Sequence, residues 1–105
     1  MPTITIIYTT CPSPEVAQKI ADQLLNGSLV ACANIIESKS NYFWEGELQH
    51  EGEYLAICKT TNDKANEAIE KIKLIHPHQI PAVLSWQVEA NETYAQWVAD
   101  QVNCS

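Results

Sequence analysis

The sequence has few basic residues: 6 lysines and arginines face 13 aspartates and glutamates, which gives a net charge of −7. Binding to a phosphate backbone needs clustered basic side chains, so this balance disfavours nucleic acid as a partner. An acidic chain can attract cations, but the acidic residues are not gathered into one block. An acidic, solvated surface is the simplest interpretation of the charge.

Long hydrophobic segments are also missing. No apolar run approaches the ~20 residues that cross a bilayer. The first ten residues, MPTITIIYTT, lack the basic start and the long apolar core of a signal peptide. These absences predict a cytoplasmic protein with no membrane partner.

Paired cysteines are a third absence. The four cysteines are Cys11, Cys32, Cys58 and Cys104, and none belongs to a C-x-x-C pair or a zinc-type pattern. In a cytoplasmic protein we expect all of them to be free thiols that pack mostly as small apolar side chains.

Strand and helix patterns alternate along the whole chain, and its 105 residues are enough for one domain, over 1–105. The predicted elements are a strand over Thr3–Thr10, a helix that Ser13 caps, a long hairpin over Leu29–Lys59, a helix that Pro77 ends, a strand over Ala82–Val88 and a helix that Asn91 caps. Trp86 and Trp97 are expected in the core, as large aromatic side chains usually are.

The long hairpin is the main feature of this pattern. It is predicted to consist of a strand over Leu29–Ile36, a polar break over Glu37–Asn41 and a second extended run over Tyr42–Lys59. The aromatic triplet Tyr42-Phe43-Trp44 would then follow the turn, where a short chain has little interior to cover it. Aromatic side chains in such a place are typical of an interface, so we expect oligomerisation.

The order β-α-β-β-α-β followed by a helix predicts an α+β fold, the ferredoxin-like sandwich with an extra C-terminal helix. In this fold two helices cover one face of an antiparallel sheet. The other face must be apolar too, because Leu29–Ile36 and Tyr54–Lys59 have few polar positions. An uncovered apolar face again predicts packing against other copies.

Four segments resemble a known family. Ala31-Cys32-Ala33-Asn34, Tyr42-Phe43-Trp44-Glu45-Gly46, Lys59-Thr60-Thr61 and His76-Pro77-x-x-x-Pro81 occur in the order and spacing of the CutA divalent-ion tolerance family. The resemblance extends from Ile4 to Trp97. It implies a ferredoxin-like subunit, a tight homotrimer with a cytoplasmic location, and a link to tolerance of copper and other divalent metals.

The resemblance also implies a cleft between subunits. It places three residues around that cleft and three more near it: Cys32, Lys59 and His76, then Trp44, Glu45 and Glu51. A Cys/Lys/His set contains a nucleophile, a cation and a base. The structural interpretation is favoured, however, because no nucleophile–base geometry follows from the sequence. We therefore predict no catalytic residues and no enzyme.

For metal binding, the resemblance implies a cysteine at the end of the first strand and a His-His pair before the proline. Here these positions hold Tyr8 and Ile75-His76, so only His76 matches. His78 lies two positions further on, and in an extended segment both imidazoles point the same way. Imidazole nitrogens suit Cu²⁺ or Zn²⁺, so weak metal binding at His76 and His78 is predicted, with no required cofactor. Two solvent-exposed histidines are the alternative.

Three other classes of protein share this fold or its assembly. An RNA-recognition module needs exposed aromatics on basic strands, which the acidic excess disfavours. A copper chaperone usually carries C-x-x-C after its first strand, and Thr9-Thr10-Cys11-Pro12 has a single thiol. A small trimeric signalling protein that binds a metabolite between its subunits remains the main alternative.

Overall fold

A computed structural model describes residues 1–103; Cys104 and Ser105, and with them the expectation of a free thiol at Cys104, lie outside the described residues. The elements are β1 (Thr3–Cys11), α1 (Pro14–Asn26), β2 (Cys32–Trp44), β3 (Glu47–Thr60), α2 (Ala65–Ile75), β4 (Val83–Glu89) and α3 (Glu92–Val102). The predicted element order is therefore confirmed.

The start of α1 illustrates how local sequence determines an element. The hydroxyl of Ser13 accepts a hydrogen bond from the backbone N–H of Val16 at 3.2 Å, and Pro14 occupies the first helical position. At the other end the backbone N–H of Gly27 donates to the carbonyl of Gln23 at 3.1 Å. Both ends of the helix satisfy backbone groups that would otherwise lack partners.

The four strands form one antiparallel sheet in the order β2-β3-β1-β4, which confirms the predicted α+β fold. Alternate residues of β1 and β3 point toward α1 and α2 and build the main core. Its most deeply buried members include Ile7, Ile20, Leu24, Cys58 and Ile72.

The predicted hairpin turn over Glu37–Asn41 is wrong. These residues belong to β2, which stays paired with β3 without interruption until Trp44 faces Glu47. The turn consists of Glu45 and Gly46, with φ of 51° and 83°. A two-residue turn with both φ positive matches the twist of the strands it joins. Polar residues mislead here because this part of β2 projects into solvent.

The face of the sheet opposite α1 and α2 is only partly covered. Helix α3 packs over one end of it, where Ile4 and Val98 are buried. Further along, Ile36, Leu84 and Trp86 are 46%, 55% and 47% exposed. We call this exposed apolar region, together with the half-buried Ile6, Tyr8, Leu55 and Ile57, the open face.

The prediction that Trp86 and Trp97 lie in the core is wrong for this chain. Trp86 lies on the open face, because it pairs with Ile6 of β1 rather than with a helix-facing residue. Trp97 is 43% exposed and stacks on Tyr94, with ring centroids 5.7 Å apart. Both indoles are available to neighbouring molecules.

Within residues 1–103, no helix combines the length and the apolar character that crossing a membrane requires.

Candidate functional site

The distal half of the β2–β3 hairpin extends past the rest of the sheet. The last residue of β1 to pair with β3 is Cys11, opposite Tyr54. Residues 38–53, which we call the hairpin arm, pair only with each other. The arm therefore forms one wall of a space that β1 does not fill.

This space is a cavity of about 570 Å³. One wall is the hairpin arm, and the opposite wall is the connector between α2 and β4, residues 76–82. Thr10 lies at its base, at the end of β1. The side chains that the site depends on are Tyr42, Trp44, Glu53 and His78. Because Tyr42 and Trp44 are two apart on β2, they lie on the same face of the strand, and Phe43 points to the other face.

His76 fastens the connector to the end of β1. Its Nε2–H donates to the carbonyl of Thr10 at 2.8 Å, and its Nδ1 accepts from the backbone N–H of His78 at 3.1 Å. The ring is therefore neutral, with its proton on Nε2. The pKa of His76 is lowered, mainly by burial and to a smaller extent by the neighbouring His78. The hydrogen bond to Thr10 and the charge of Glu53 act in the opposite direction.

Neither ring nitrogen of His76 has a lone pair to spare, since one is a donor and the other already accepts a hydrogen bond. His78 differs. Its ring packs against that of His76, with centroids 4.7 Å apart, and in residues 1–103 its ring nitrogens have no hydrogen-bonding partner. No group of three or more His, Cys, Asp or Glu side chains that could hold a metal ion occurs in that part of the chain. The two predicted metal ligands are thus neighbours with different roles in the fold.

Glu53 is the site residue that the sequence prediction missed. Its side chain lines the cavity although the residue is only 5% exposed. Its backbone carbonyl accepts from the hydroxyl of Ser38 at 3.3 Å, whereas its carboxylate has no hydrogen-bonding or ionic partner within the described residues. The signal in the sequence was weak, because Glu53 is one of several glutamates between Glu45 and Glu53.

The other predicted cleft residues do not all reach this cavity. Cys32 and Lys59 face each other across β2 and β3, and the Nζ of Lys59 donates to the Oδ1 of Asn34 at 2.9 Å. Lys59 also pairs in register with Ile6, four residues before Thr10, so it lies about 13 Å along the sheet from the cavity.

The remaining predicted cleft residues lie on or near the hairpin arm. Trp44 lines the cavity, Glu45 is in the turn, and Glu51 pairs with Ser40. Within one chain the predicted cleft residues therefore form two groups: Cys32 and Lys59 lie away from the cavity, and the others lie on the hairpin arm or the connector. The cleft between subunits stays a prediction.

Two of the described thiols, Cys11 and Cys58, are buried and unsuited to nucleophilic catalysis. Burial raises the pKa of Cys11 to about 11, with a smaller contribution from Glu53, and burial raises that of Cys58 to about 12. Both thiols therefore stay protonated and unreactive near neutral pH. No hydrogen bond joins a histidine to a hydroxyl or thiol side chain in residues 1–103.

The fold and the cavity define the class of protein: a ferredoxin-like α+β domain with a projecting hairpin and a cavity beside it. The family described as CutA1 divalent ion tolerance protein matches residues 5–101, and the chain belongs to this family. The resemblance seen in the sequence is confirmed.

Relatives agree over most of the chain. The divalent-cation tolerance protein CutA of Pyrococcus horikoshii is 40% identical over 97 residues, which are 91% of this chain and 95% of that protein. The crystal structure of CutA1 from Ehrlichia chaffeensis has a TM-score of 0.92 at 41% identity, with 97% of each chain covered.

Two further solved structures carry informative descriptions. The protein from Archaeoglobus fulgidus is called a periplasmic divalent cation tolerance protein; it is 33% identical with a TM-score of 0.90, over 94% of this chain and 98% of that one. The protein from Nostoc sp. PCC 7120 is called PII-like CutA in apo form; it is 27% identical with a TM-score of 0.88, over 93% and 96% of the two chains.

Proposed function

We propose that this chain serves divalent-cation tolerance, copper tolerance in particular, as a cytoplasmic homotrimer that contacts Cu²⁺ or Zn²⁺ weakly through the loop that holds His76 and His78. The observation that carries the metal contact is the imidazole of His78, which lines the cavity with its ring nitrogens unpartnered in residues 1–103. The ring of His76 packs against that imidazole and is itself hydrogen-bonded at both nitrogens. His78 is therefore the metal contact in this proposal and His76 is its positioning residue.

Self-assembly is supported by the apolar surface of the single chain. The open face exposes Leu84 and Trp86, and the hairpin arm exposes Phe43 and Leu48 to 73% and 52%. Exposed apolar side chains in such number are unusual on a monomer and are typical of an interface between subunits. The number of subunits, three, rests on the family resemblance.

Weak rather than tight metal binding follows from the number of ligands. Copper and zinc sites of high affinity use three or four ligands with a fixed geometry. One imidazole per chain is a single ligand and gives a much lower affinity, although a net charge of −7 raises the local concentration of cations.

Calorimetric titration of Cu²⁺ and of Zn²⁺ into the tag-free protein tests the metal contact. We expect weak binding of about one ion per chain, which His78→Ala abolishes because it removes the only free imidazole of the loop. His50→Ala is the matched control, since His50 lies on the hairpin arm and bonds the side chain of Asn41.

A titration without heat, or binding that survives His78→Ala unchanged, would show that metal tolerance does not act through this loop. His76→Ala adds a distinction. If it abolishes binding while His78→Ala does not, the roles of the two histidines are the reverse of those proposed.

A second candidate function is a PII-like small-molecule sensor. The cavity favours it, because about 570 Å³ lies within the range of about 300–1,000 Å³ that small-molecule sites occupy. The description of the Nostoc relative as PII-like adds support from outside the chain. In this candidate the ligand occupies the cavity and the hairpin arm transmits its presence.

A further inference from the structure

We propose that the cavity beside the hairpin arm binds a small organic cation, an ammonium or guanidinium group on an aliphatic chain, with Glu53 as its counter-ion. The inference names a ligand class for the sensor candidate, on which it rests, and it is independent of metal binding at His78.

The carboxylate of Glu53 is the first observation. A carboxylate in a partly enclosed cavity attracts a cation more strongly than one in open water, because the local dielectric constant is lower. Glu53 is only 5% exposed, yet within residues 1–103 no hydrogen-bond donor or cation contacts its carboxylate. Lys39 pairs in register with Gly52, next to Glu53, but it is exposed and on the opposite face of the arm. A ligand cation in the cavity would supply the missing charge.

The aromatic wall is the second, independent observation. Tyr42 and Trp44 lie on the cavity side of the arm, and the faces of such rings attract ammonium and guanidinium groups. Ile80, on the connector, adds an aliphatic surface for the carbon chain. A carboxylate, two aromatic rings and an aliphatic contact together match an alkylammonium ion better than any anion.

The size of the cavity favours an organic cation over a bare metal ion as its ligand. A volume of about 570 Å³ holds a molecule of several heavy atoms, whereas a metal ion needs closely converging ligands. No such convergence of three ligands exists in residues 1–103. The shared chemistry also admits a lysine from a second copy of the chain, and the experiment below separates that source from a free ligand.

The test is a titration of the assembled protein with two cationic probes, agmatine and 1,4-diaminobutane, followed by calorimetry and by tryptophan fluorescence. The uncharged 1,4-butanediol has nearly the same length and serves as the neutral probe. We expect both amines to bind, the diol not to bind, and Glu53→Gln to weaken the amines at least tenfold. Glu37→Gln removes one charge from an exposed position on the opposite face of the hairpin and should leave the affinity unchanged.

Three results would overturn the proposal. The first is no binding of either amine to the unmodified protein at millimolar concentration, and the second is equal binding of the diol. The third is a loss of the assembly in Glu53→Gln, measured by native mass spectrometry, because Glu53 would then pair with a cation of a neighbouring subunit. If Glu53→Gln does not fold, Trp44→Leu replaces it, and undiminished amine binding by that variant would also contradict the proposal.

The outcome is distinguishable from that of the metal titration. Binding of the amines without any metal binding would remove the metal contact and leave the cation site. Metal binding that His78→Ala abolishes, without any response to the amines, would do the reverse.

Discussion

The imidazole of His76 shows how one side chain can serve the fold while it resembles a functional group in the sequence. It is buried at the end of α2 and joins the connector to β1 through two hydrogen bonds, one at each ring nitrogen. A protonated ring could not accept the hydrogen bond from His78. The fold therefore requires the neutral form, in agreement with the lowered pKa of this histidine.

The lowered pKa predicts a dependence of stability on pH. The unfolded chain binds a proton at His76 near pH 6.5, whereas the folded protein binds it only at lower pH, so the stabilisation is complete above pH 6.5 and declines as the pH falls below it. We expect the melting temperature to fall between pH 7 and pH 5, and His76→Gln to reduce this dependence. At pH 7.5 the same variant should lose about 2 kcal/mol, because buried hydrogen-bonding groups lose their partner.

Thermal unfolding at one fixed protein concentration measures both effects, since the proposed assembly would make the melting temperature depend on concentration. His50→Gln is the control, with an exposed side chain, and its pH dependence should match that of the unmodified protein. An unchanged pH dependence in His76→Gln would mean that other groups cause it.

Which site residues the sequence can reveal depends on how local their signal is. His76 and His78 flank a proline and are recognisable as a pair. Glu53 is one of several acidic residues in the arm, and its burial depends on the register between β2 and β3 and on the connector across the cavity. Neither property is encoded near Glu53 in the chain. The separation of Cys32 and Lys59 from His76 likewise required the register of the sheet.

At the scale of elements, the hairpin turn is the feature that sequence analysis placed wrongly. Patterns located every helix and strand, because amphipathic periodicity, caps and prolines act locally. The polar run Glu37–Asn41 resembles a turn, but a strand that projects past its sheet tolerates polar residues on both faces. The Glu45-Gly46 pair carries the real signal, since a two-residue hairpin turn favours glycine at its second position.

The turn geometry predicts different outcomes for two glycines of the same hairpin. Gly46 has φ of 83°, so Gly46→Ala should destabilise the protein by about 1–2 kcal/mol, the cost of a left-handed conformation for a residue with a Cβ. Gly52 lies in a regular part of β3, and an added Cβ meets no atom within 4 Å. Gly52→Ala should be neutral or slightly stabilising.

Urea unfolding of the two variants and the unmodified protein provides the comparison. Equal stabilities of Gly46→Ala and the unmodified protein would place the turn elsewhere in the hairpin.

At the scale of the whole molecule, the open face and the hairpin arm are the exposed apolar surfaces through which copies of the chain would meet in the proposed trimer. Trp86 projects from the open face on β4, between the exposed Leu84 and the half-buried Val88. The sequence indicated that this face is apolar, but it placed Trp86 in the core. A side chain of this size, half-exposed on an apolar sheet face, is typical of an interface anchor.

Trp86→Glu should therefore dissociate the proposed trimer, because it buries a charge in an apolar interface. Light scattering after size exclusion should give three times 11.7 kDa for the unmodified protein and a smaller mass for the variant. Gln87→Glu introduces the same charge one residue further on, at an exposed position facing the other side of the sheet, and should keep the trimer mass. A trimer mass for Trp86→Glu would exclude this face as the interface.

The pairing of β1 also has a consequence for the order of folding. The β2–β3 hairpin closes through a two-residue turn, whereas β1 joins β4 by pairing Thr3 with Glu89. Contacts between residues so far apart in the chain form late, because closing a long loop costs entropy before it gives any stabilisation. During synthesis on a ribosome the hairpin can therefore form while β4 has still to emerge. The aromatic residues of the hairpin arm are then exposed before the sheet is complete. The nascent chain thus exposes its apolar arm before β1 can pair with β4.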